Sequence, residues 1–369
     1  MAIYRIFPES DTFIFSENPV GNAGKDEILE VGGYGDISDT GRAKRTLLKF
    51  STTEIQNTLN NKVGASPWAA NMHLYLAQAS ELPINFTLYG YPVSTTYTNG
   101  VGKFGDLPVN TSGVSWRYRN ADESNAWTTG TFPTNITGSY ITVQEGGGTW
   151  YTGSAGINLE ATQSFSLNSE LDLNLDVSNA VDLFYSGSLY NNGFLIKLQN
   201  DLEFNTTSSI QLRYFGGDTN TIYPPYLEFK WDDSSYNTGS LSVLSNNQAQ
   251  INIKNNKGEY VDEGKQRFRL SAKPTYPPRT FTTSSVYLTN YALPTASYWG
   301  LRDEHSEEMV VDFDSNYTKI SCDSTGPYFD IYMDGLQPER YYRILIKTAL
   351  DGSNTIVDNK NIFKIVRNG

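Results

Sequence analysis

The chain has 369 residues, which is enough for two or three domains that each bury a core of their own. It has 40 acidic and 28 basic residues, and the resulting net charge of −12 argues against a general nucleic-acid-binding protein. Its single cysteine, Cys322, rules out an internal disulfide, and two histidines are too few for a histidine-rich metal site. We expect Cys322 to be a small core residue at the end of a strand.

The residue composition indicates strands and turns rather than long helices. Tyrosine (25), glycine (31) and phenylalanine (18) are abundant, whereas charged residues make up only 18% of the chain. Tyrosine also supplies contact area at a low entropic cost, so the same composition is typical of surfaces that bind other proteins. The composition therefore predicts an all-β fold, and a protein-binding surface is an equally good explanation of it.

Alternating apolar and polar residues predict the strands of the first two-thirds of the chain. In the central strand, Leu48 and Phe50 share one face and Lys49 points the other way. The predicted strands are 3–7, 11–15, 45–50, 71–76, 88–93, 165–175, 181–185, 195–198, 210–215 and 226–231. Residues 53–59 are predicted to be a short helix, and 32–36, rich in glycine, a flexible loop. Such strands need a second sheet to close over their apolar face, which predicts a β-sandwich.

A long segment from about residue 94 to residue 162 reads as loop, rich in Gly, Thr and Asn, and it contains Trp116, Trp127 and Trp150. Large rings in polar loops can stack on sugars or bind the apolar groups of a partner, so these three tryptophans are the candidate ligand-binding residues. The alternative is that each ring attaches its loop to the sandwich, because long loops need small cores of their own.

The polar segment 232–240 predicts a domain boundary, which places one domain at 1–235 and a second at 241–369. Seven short strands in the second domain fit an immunoglobulin-like sandwich; they are predicted at 249–254, 266–272, 298–302, 309–313, 328–333, 341–347 and 362–366. Leu336, Pro338 and Tyr342 resemble the Leu-x-Pro-x-x-x-Tyr corner of fibronectin type III domains, which implies that the Tyr342 hydroxyl bonds back to the turn. We expect Trp299 in the core between the two sheets.

Catalytic patterns are absent from the sequence. It has no Gly-x-Ser-x-Gly element and no phosphate-binding glycine loop between a strand and a helix. We therefore predict a protein that is not an enzyme, with no catalytic residues, no metal ligands and no cofactor. Glycan hydrolysis stays as a third alternative, because the paired carboxylates of a glycosidase come from distant strands and leave no local pattern.

The first residues lack the basic and apolar regions of a signal peptide, and no apolar stretch is long enough for a membrane span. We therefore expect a protein made in a cytoplasm, with no membrane partner.

Several short motifs of the first domain resemble the DNRLRE family of jelly-roll modules. They are Asp11-Thr12, the loop Asn18 to Gly24, Leu29-Glu30-Val31-Gly32, Arg45-Thr46-Leu47-Leu48-Lys49-Phe50, Gly113-Val114-Ser115-Trp116, Asn192-Gly193-Phe194 and Pro225-Tyr226-Leu227-Glu228-Phe229. The resemblance covers roughly residues 1–235 and implies a jelly-roll β-sandwich followed by the immunoglobulin-like or fibronectin III-like β-sandwich.

The chain as a whole looks most like virion structural proteins of tailed phages of the marine T4-like type. This resemblance implies a location in the virion (neck, tail, fibre, baseplate or capsid decoration), other virion proteins as partners, and a homo-oligomer in a symmetric assembly. A carbohydrate-binding or adhesion module that binds host-surface glycans is the alternative function.

Overall fold

The computed structural model describes residues 2–36, 39–127, 146–154, 156–205, 209–246, 248–277 and 289–368. Strands take up 47% of the chain and helical segments 8%, which confirms the predicted all-β fold. The longest α-helix in the described ranges has eight residues, and none is long and apolar enough to cross a membrane. Part of the predicted loop region, 128–145 and residue 155, lies outside the described residues.

Contacts divide the chain into two compact units. The amino-terminal unit comprises Ile6–Lys62 and Ala69–Glu228, and the carboxy-terminal unit comprises Met1–Arg5, Val63–Trp68 and Phe229–Gly369. The division falls inside three strands, β1 (Ala2–Ile6), β5 (Trp68–Leu74) and β16 (Tyr226–Trp231).

The amino-terminal unit is built on a large, mostly antiparallel sheet. Its longer strands are β2 (Pro8–Phe15), β3 (Ile28–Asp36), β4 (Asp39–Phe50), β5 (Trp68–Leu74), β6 (Leu76–Ser80), β7 (Asn85–Pro92), β12 (Ala161–Ser166), β13 (Leu173–Asp176), β14 (Phe194–Leu198) and β15 (Ser209–Phe215). Short strands lie between β7 and β12: β8 (Tyr118–Asn120), β9 (Asn125–Ala126), β10 (Gly153–Ser154) and β11 (Ile157–Asn158). The large sheet has the order β12-β7-β14-β4-β3-β15-β6, with β2 also paired to β4.

A second sheet, in which β13 pairs with β5, lies against the large one. Gly90 of β7 shows how closely the two sheets approach, because a Cβ added there would lie 2.7 Å from a methyl group of Leu175 in β13. Leu48 and Phe50 of β4 are buried as predicted, while Lys49 is partly exposed. Leu47, on the Lys49 side, is fully buried as well, because the long loop region covers part of the outer face of this strand.

The described part of this unit has three α-helices: α1 (Thr52–Thr58), which continues into a π-helical segment (Leu59–Val63), α2 (Ser178–Tyr185) and α3 (Asn200–Glu203). Helix α1 begins at Ser51, whose hydroxyl accepts the backbone N–H of Glu54, and it buries Ile55 and Leu59, as the sequence pattern predicted.

Three local predictions are wrong. The single strand predicted at 165–175 is the end of β12, a turn closed by hydrogen bonds between Ser166 and Ser169, and the start of β13. The predicted strand at 181–185 is helix α2, because its buried residues, Ala180, Val181, Leu183 and Phe184, occupy one side of a helix rather than alternate positions. The predicted loop at 32–36 is the second half of β3. Its glycines meet close backbone neighbours: a Cβ on Gly32 would lie 2.1 Å from the carbonyl oxygen of Ile210, and one on Gly33 2.3 Å from that of Glu203.

The carboxy-terminal unit is an immunoglobulin-like sandwich. Its strands are β17 (Ala249–Ile253), β18 (Glu259–Val261), β19 (Lys265–Pro274), β20 (Ser297–Asp303), β21 (Met309–Val311), β22 (Ser321–Asp323), β23 (Gly326–Tyr332), β24 (Tyr341–Leu350) and β25 (Ser353–Val366), with a 3-10 turn at Met333–Gly335. One sheet has the order β17-β19-β23-β22 and the other β18-β25-β24-β20-β21. In immunoglobulin lettering the first sheet has the order A-B-E-D, and strands β25, β24 and β20 of the second sheet are G, F and C. The short strand β18 pairs in parallel with β25, and β21 pairs with β20. All seven predicted strands are present, and β18 and β22 are additional.

The predicted details of this sandwich are confirmed. The hydroxyl of Tyr342 donates to the carbonyl oxygen of Gln337 at 3.0 Å, which is the corner expected from the Leu-x-Pro-x-x-x-Tyr pattern. Trp299 lies in the core between the sheets, with its ring stacked on Phe329 at 5.4 Å. Cys322 is a buried free thiol in the short strand β22.

Candidate functional site

The three candidate tryptophans all lie in a small core on the outer face of the large sheet. Trp116 is 0% exposed and Trp127 5% exposed, whereas Trp150 is partly buried beside them. The indole N–H of Trp127 donates to the carbonyl oxygen of Ser115 at 2.9 Å. The rings thus attach the loop segments to the sheet, and stacking on a sugar would require Trp116 and Trp127 to leave this core.

Arg45 is the centre of this small core. Its guanidinium lies 4.9 Å from the ring of Trp116, 5.2 Å from that of Trp150 and 5.7 Å from that of Phe204. The same group makes a bidentate ion pair with Glu203, at 2.7 and 3.0 Å, and donates to the carbonyl oxygen of Gly147. Arg45 of β4 therefore holds α3, the backbone at Gly147 and two tryptophans in position.

Lys197 completes a buried charge cluster with Arg45 and Glu203. Its ammonium lies 2.8 Å from the second Glu203 oxygen and also donates to Asn200. Burial alone would raise the pKa of Glu203, but the two cations outweigh it and hold the pKa below its usual value. Burial lowers the pKa of Lys197 to about 8 against the attraction of Glu203. Because all three side chains are almost fully enclosed, the cluster is a structural element rather than a surface site.

An apolar loop projects from the same unit at residues 101–109. It contains Val101 (64% exposed), Phe104 (39%), Leu107 (92%) and Val109 (43%), and these four residues are called the apolar loop below. Only Phe104 packs inward, with ring-centroid distances of 5.6 Å to Phe13 and 5.1 Å to Phe15. Exposed apolar residues concentrated in one segment are typical of a protein-binding surface.

The base of the apolar loop is fixed by Asn22, a side chain that is almost fully buried. Its amide group donates to the carbonyl oxygens of Asn99 and Val114, each at 2.7 Å, and its oxygen accepts the N–H groups of Gly24 and Gly102 at 3.0 and 2.8 Å. All four hydrogen bonds of this carboxamide are therefore made within the protein. The loop is a preorganised element, which lowers the entropic cost of binding through it.

Asp11, from the Asp-Thr motif, lies in a tight corner against Gly216 and Gly217. Its carboxylate accepts the backbone N–H of Gly217 at 2.8 Å. Burial raises the pKa of Asp11 to about 6, although the Gly217 hydrogen bond acts in the opposite direction. Through this hydrogen bond Asp11 joins β2 to the turn at Gly216 and Gly217.

A shallow cleft of about 260 Å³ opens where the edge strands of the two sheets meet, between residues 158–162 and 176–180. Within the described ranges, no group of three or more His, Cys, Asp and Glu side chains could hold a metal ion. The two histidines are separate: His73 stacks on Tyr226 at 4.8 Å, and His305 lies against Tyr341 in the β20–β21 turn.

Comparisons with known proteins identify no family. No family model matches the chain, and no curated protein is similar to it. A crystal structure of the beta-glucuronidase of Parabacteroides merdae aligns with 96% of this chain and 36% of that chain, at 8% sequence identity and a TM-score of 0.16. The chain thus spans about a third of that protein, and a TM-score this low supports no argument about fold or function.

Sequence reasoning missed the partners of several motif residues. Arg45 was recognised within its motif, but Glu203 and Lys197 are more than 150 residues away and no local pattern links them to it. The apolar loop does have a signal in the sequence, because its apolar residues lie in a segment that glycine and proline interrupt.

Proposed function

We propose that the protein is a structural component of a tailed-phage virion that acts through protein–protein contacts. The observation that supports this proposal best is the apolar loop: four exposed apolar residues on a segment that Asn22 holds rigidly. A preorganised apolar projection suits insertion into a neighbouring subunit, where burying one leucine side chain contributes about 1.5–3 kcal/mol. The phage setting itself rests on the motif series of the first domain, and several symmetry-related copies are part of the proposal.

The direct test is quantitative mass spectrometry of purified particles from the source of this sequence. We expect the chain in a fixed, repeated copy number relative to the major capsid protein. A chain that is absent from intact particles, or present at varying trace amounts, contradicts the proposal.

The role of the apolar loop is tested with Leu107→Ser. Because Leu107 is 92% exposed, this variant should fold with an unchanged thermal midpoint and yet enter particles much less efficiently. Leu167→Ser is the matched control, since Leu167 is 78% exposed in a different turn of the same unit. Equal incorporation of both variants would exclude the loop as the contact surface.

A further inference from the structure

We infer that the cleft between residues 158–162 and 176–180 binds one neutral sugar unit of a glycan. This inference goes beyond a structural role and does not depend on it. The volume of about 260 Å³ lies just below the usual range of small-molecule sites, roughly 300–1,000 Å³, and therefore suits no more than a single ring.

Side-chain hydrogen bonds in and beside the cleft join the segments that form it. The Gln163 amide donates to the carbonyl oxygen of Asp172 at 3.1 Å, and its oxygen accepts the N–H of Asn174 at 2.6 Å. On the other side, the Asn179 amide donates to the carbonyl oxygen of Asn158 at 3.1 Å. The cleft is thus formed in advance of binding, as ligand sites usually are.

The lining combines an apolar floor with a polar rim. The buried residues at the base are Leu159, Ala161, Val177 and Ala180, and the exposed residues around them are Asn158, Thr162, Asp176 and Asn179. A pyranose ring has the complementary surface, because its C–H face is apolar and its hydroxyl groups lie around the edge. Apolar contact and rim hydrogen bonds would then act on the same ligand.

Several rim atoms remain available for a ligand. One oxygen of Asp176 accepts from Ser178, which leaves its Oδ2 free of any partner in the described part of the chain. The amide nitrogen of Asn158 and the oxygen of Asn179 are likewise available, since only their opposite atoms are engaged. Two acceptors and one donor at a rim match hydroxyl groups, each of which both donates and accepts.

The charge of the cleft restricts the sugar to a neutral one. The lining residues include two carboxylates, Glu160 and Asp176, and no cation among the described residues that form it. Glu160 also accepts the hydroxyl of Tyr91 at 2.6 Å, which fixes one of these charges at the side of the cleft. An acidic sugar would meet like charges there, so a uronic acid should bind much more weakly than the corresponding neutral sugar.

Saturation-transfer NMR on the full chain tests this inference. The probes are the methyl glycosides of glucose, galactose and mannose, N-acetylglucosamine, and glucuronic acid. We expect at least one neutral probe to bind and glucuronic acid to give no signal. An absence of signal for every neutral probe, or equal binding of glucuronic acid, would overturn the inference.

Three variants locate the site by titration with the neutral probe that binds best. Asp176→Asn keeps the oxygen that accepts from Ser178 but replaces the free acceptor by a donor, so we expect about tenfold or greater weakening. Thr162→Val, which removes one rim hydroxyl at constant shape, should weaken binding by about threefold to tenfold. Asp182→Asn is the control, because it removes the same charge from the exposed side of α2, and it should bind as the unaltered chain does. Unchanged binding in both cleft variants would place the sugar elsewhere and overturn the inference.

Discussion

At the scale of single residues, buried charge explains why the long loop region has a defined position. Arg45 points out of the large sheet, and without a partner it would cost several kcal/mol to bury. The ion pair with Glu203 offsets this cost. Glu203 also pairs with Lys197, so one carboxylate stabilises two buried cations. The tryptophans then pack around a guanidinium whose geometry is already fixed.

Glu203→Gln should therefore be among the most destabilising single substitutions in the amino-terminal unit. It leaves two buried cations with no anion between them, and we expect the free energy of unfolding to fall by about 3–5 kcal/mol. Urea denaturation monitored by tryptophan fluorescence measures this loss. Asp201→Asn in the same short helix is the control, since Asp201 is exposed and its removal should cost less than about 1 kcal/mol. A loss of similar size in both variants would contradict the role given to Glu203.

Asp11 predicts a pH dependence of stability with a definite sign. Its pKa is raised to about 6 in the folded chain, from an ordinary value of 3.8, so the folded state holds this proton more tightly than the unfolded state does. The protonated carboxyl therefore stabilises the fold below about pH 4, and this contribution disappears as the pH rises through 6. A shift of this size corresponds to at most about 3 kcal/mol.

Asp11→Asn removes this titration and can keep the hydrogen bond from Gly217. We expect the stability of the variant relative to the unaltered chain to increase by about 2–3 kcal/mol between pH 4 and pH 7. Urea denaturation at intervals across this range provides the measurement. A difference that stays constant with pH would show that Asp11 has an ordinary pKa.

At the scale of elements, Asn22 connects its own turn to a loop eighty residues later in the chain. Asn22→Ala should cost about 2–4 kcal/mol, because it leaves buried backbone groups of Gly24, Gly102 and Val114 without partners. Hydrogen exchange of the Gly24 and Gly102 amides should accelerate at the same time. Asn125→Ala is the control, because the Asn125 amide at the start of β9 donates to the exposed carboxylate of Glu123, and it should change neither quantity. Unaltered exchange in Asn22→Ala would show that the apolar loop is held by other contacts.

The tyrosine corner offers a second test at this scale. Tyr342→Phe removes the hydroxyl that donates to Gln337 and leaves that carbonyl oxygen in a largely buried corner, at a cost of about 1–2 kcal/mol. Tyr341→Phe, at the neighbouring exposed position, should have almost no effect. Thermal denaturation of the two variants separates the hydrogen bond from a general loss of tyrosine hydroxyl groups.

Elements whose signal is local were predictable from the sequence, and elements whose form depends on distant residues were not. The period-two strands of the carboxy-terminal unit, the tyrosine corner and helix α1 were all foreseen from their own residues. The second half of β3 was not, because its glycines report how closely Ile210 and Glu203 approach, which no neighbouring residue encodes. Helix α2 was missed because the pattern of apolar and polar residues at 181–185 is short enough to fit the period of a strand as well as that of a helix.

At the scale of the whole molecule, composition and contacts place the domain boundary at different positions. The polar segment 232–240 looks like a linker, yet the carboxy-terminal unit includes residues from Phe229 onward and two earlier segments of the chain. Within that unit Trp231 is 1% exposed and its ring lies 5.6 Å from that of Tyr332. The strand that precedes the polar segment therefore contributes to the core of the unit that follows it.

Two fragments test where the domain boundary lies. Composition places it before residue 241, and contacts place it before residue 229. A fragment of residues 241–369 lacks Trp231, and a fragment of residues 229–369 retains it against Tyr332. We expect the longer fragment to be more stable by about 3–5 kcal/mol, which is the usual cost of removing a buried tryptophan. Trp231→Ala in the longer fragment is the matched control and should reproduce most of this difference, whereas equal stability of the two fragments would place the boundary after residue 240. Chemical denaturation monitored by circular dichroism gives all three values.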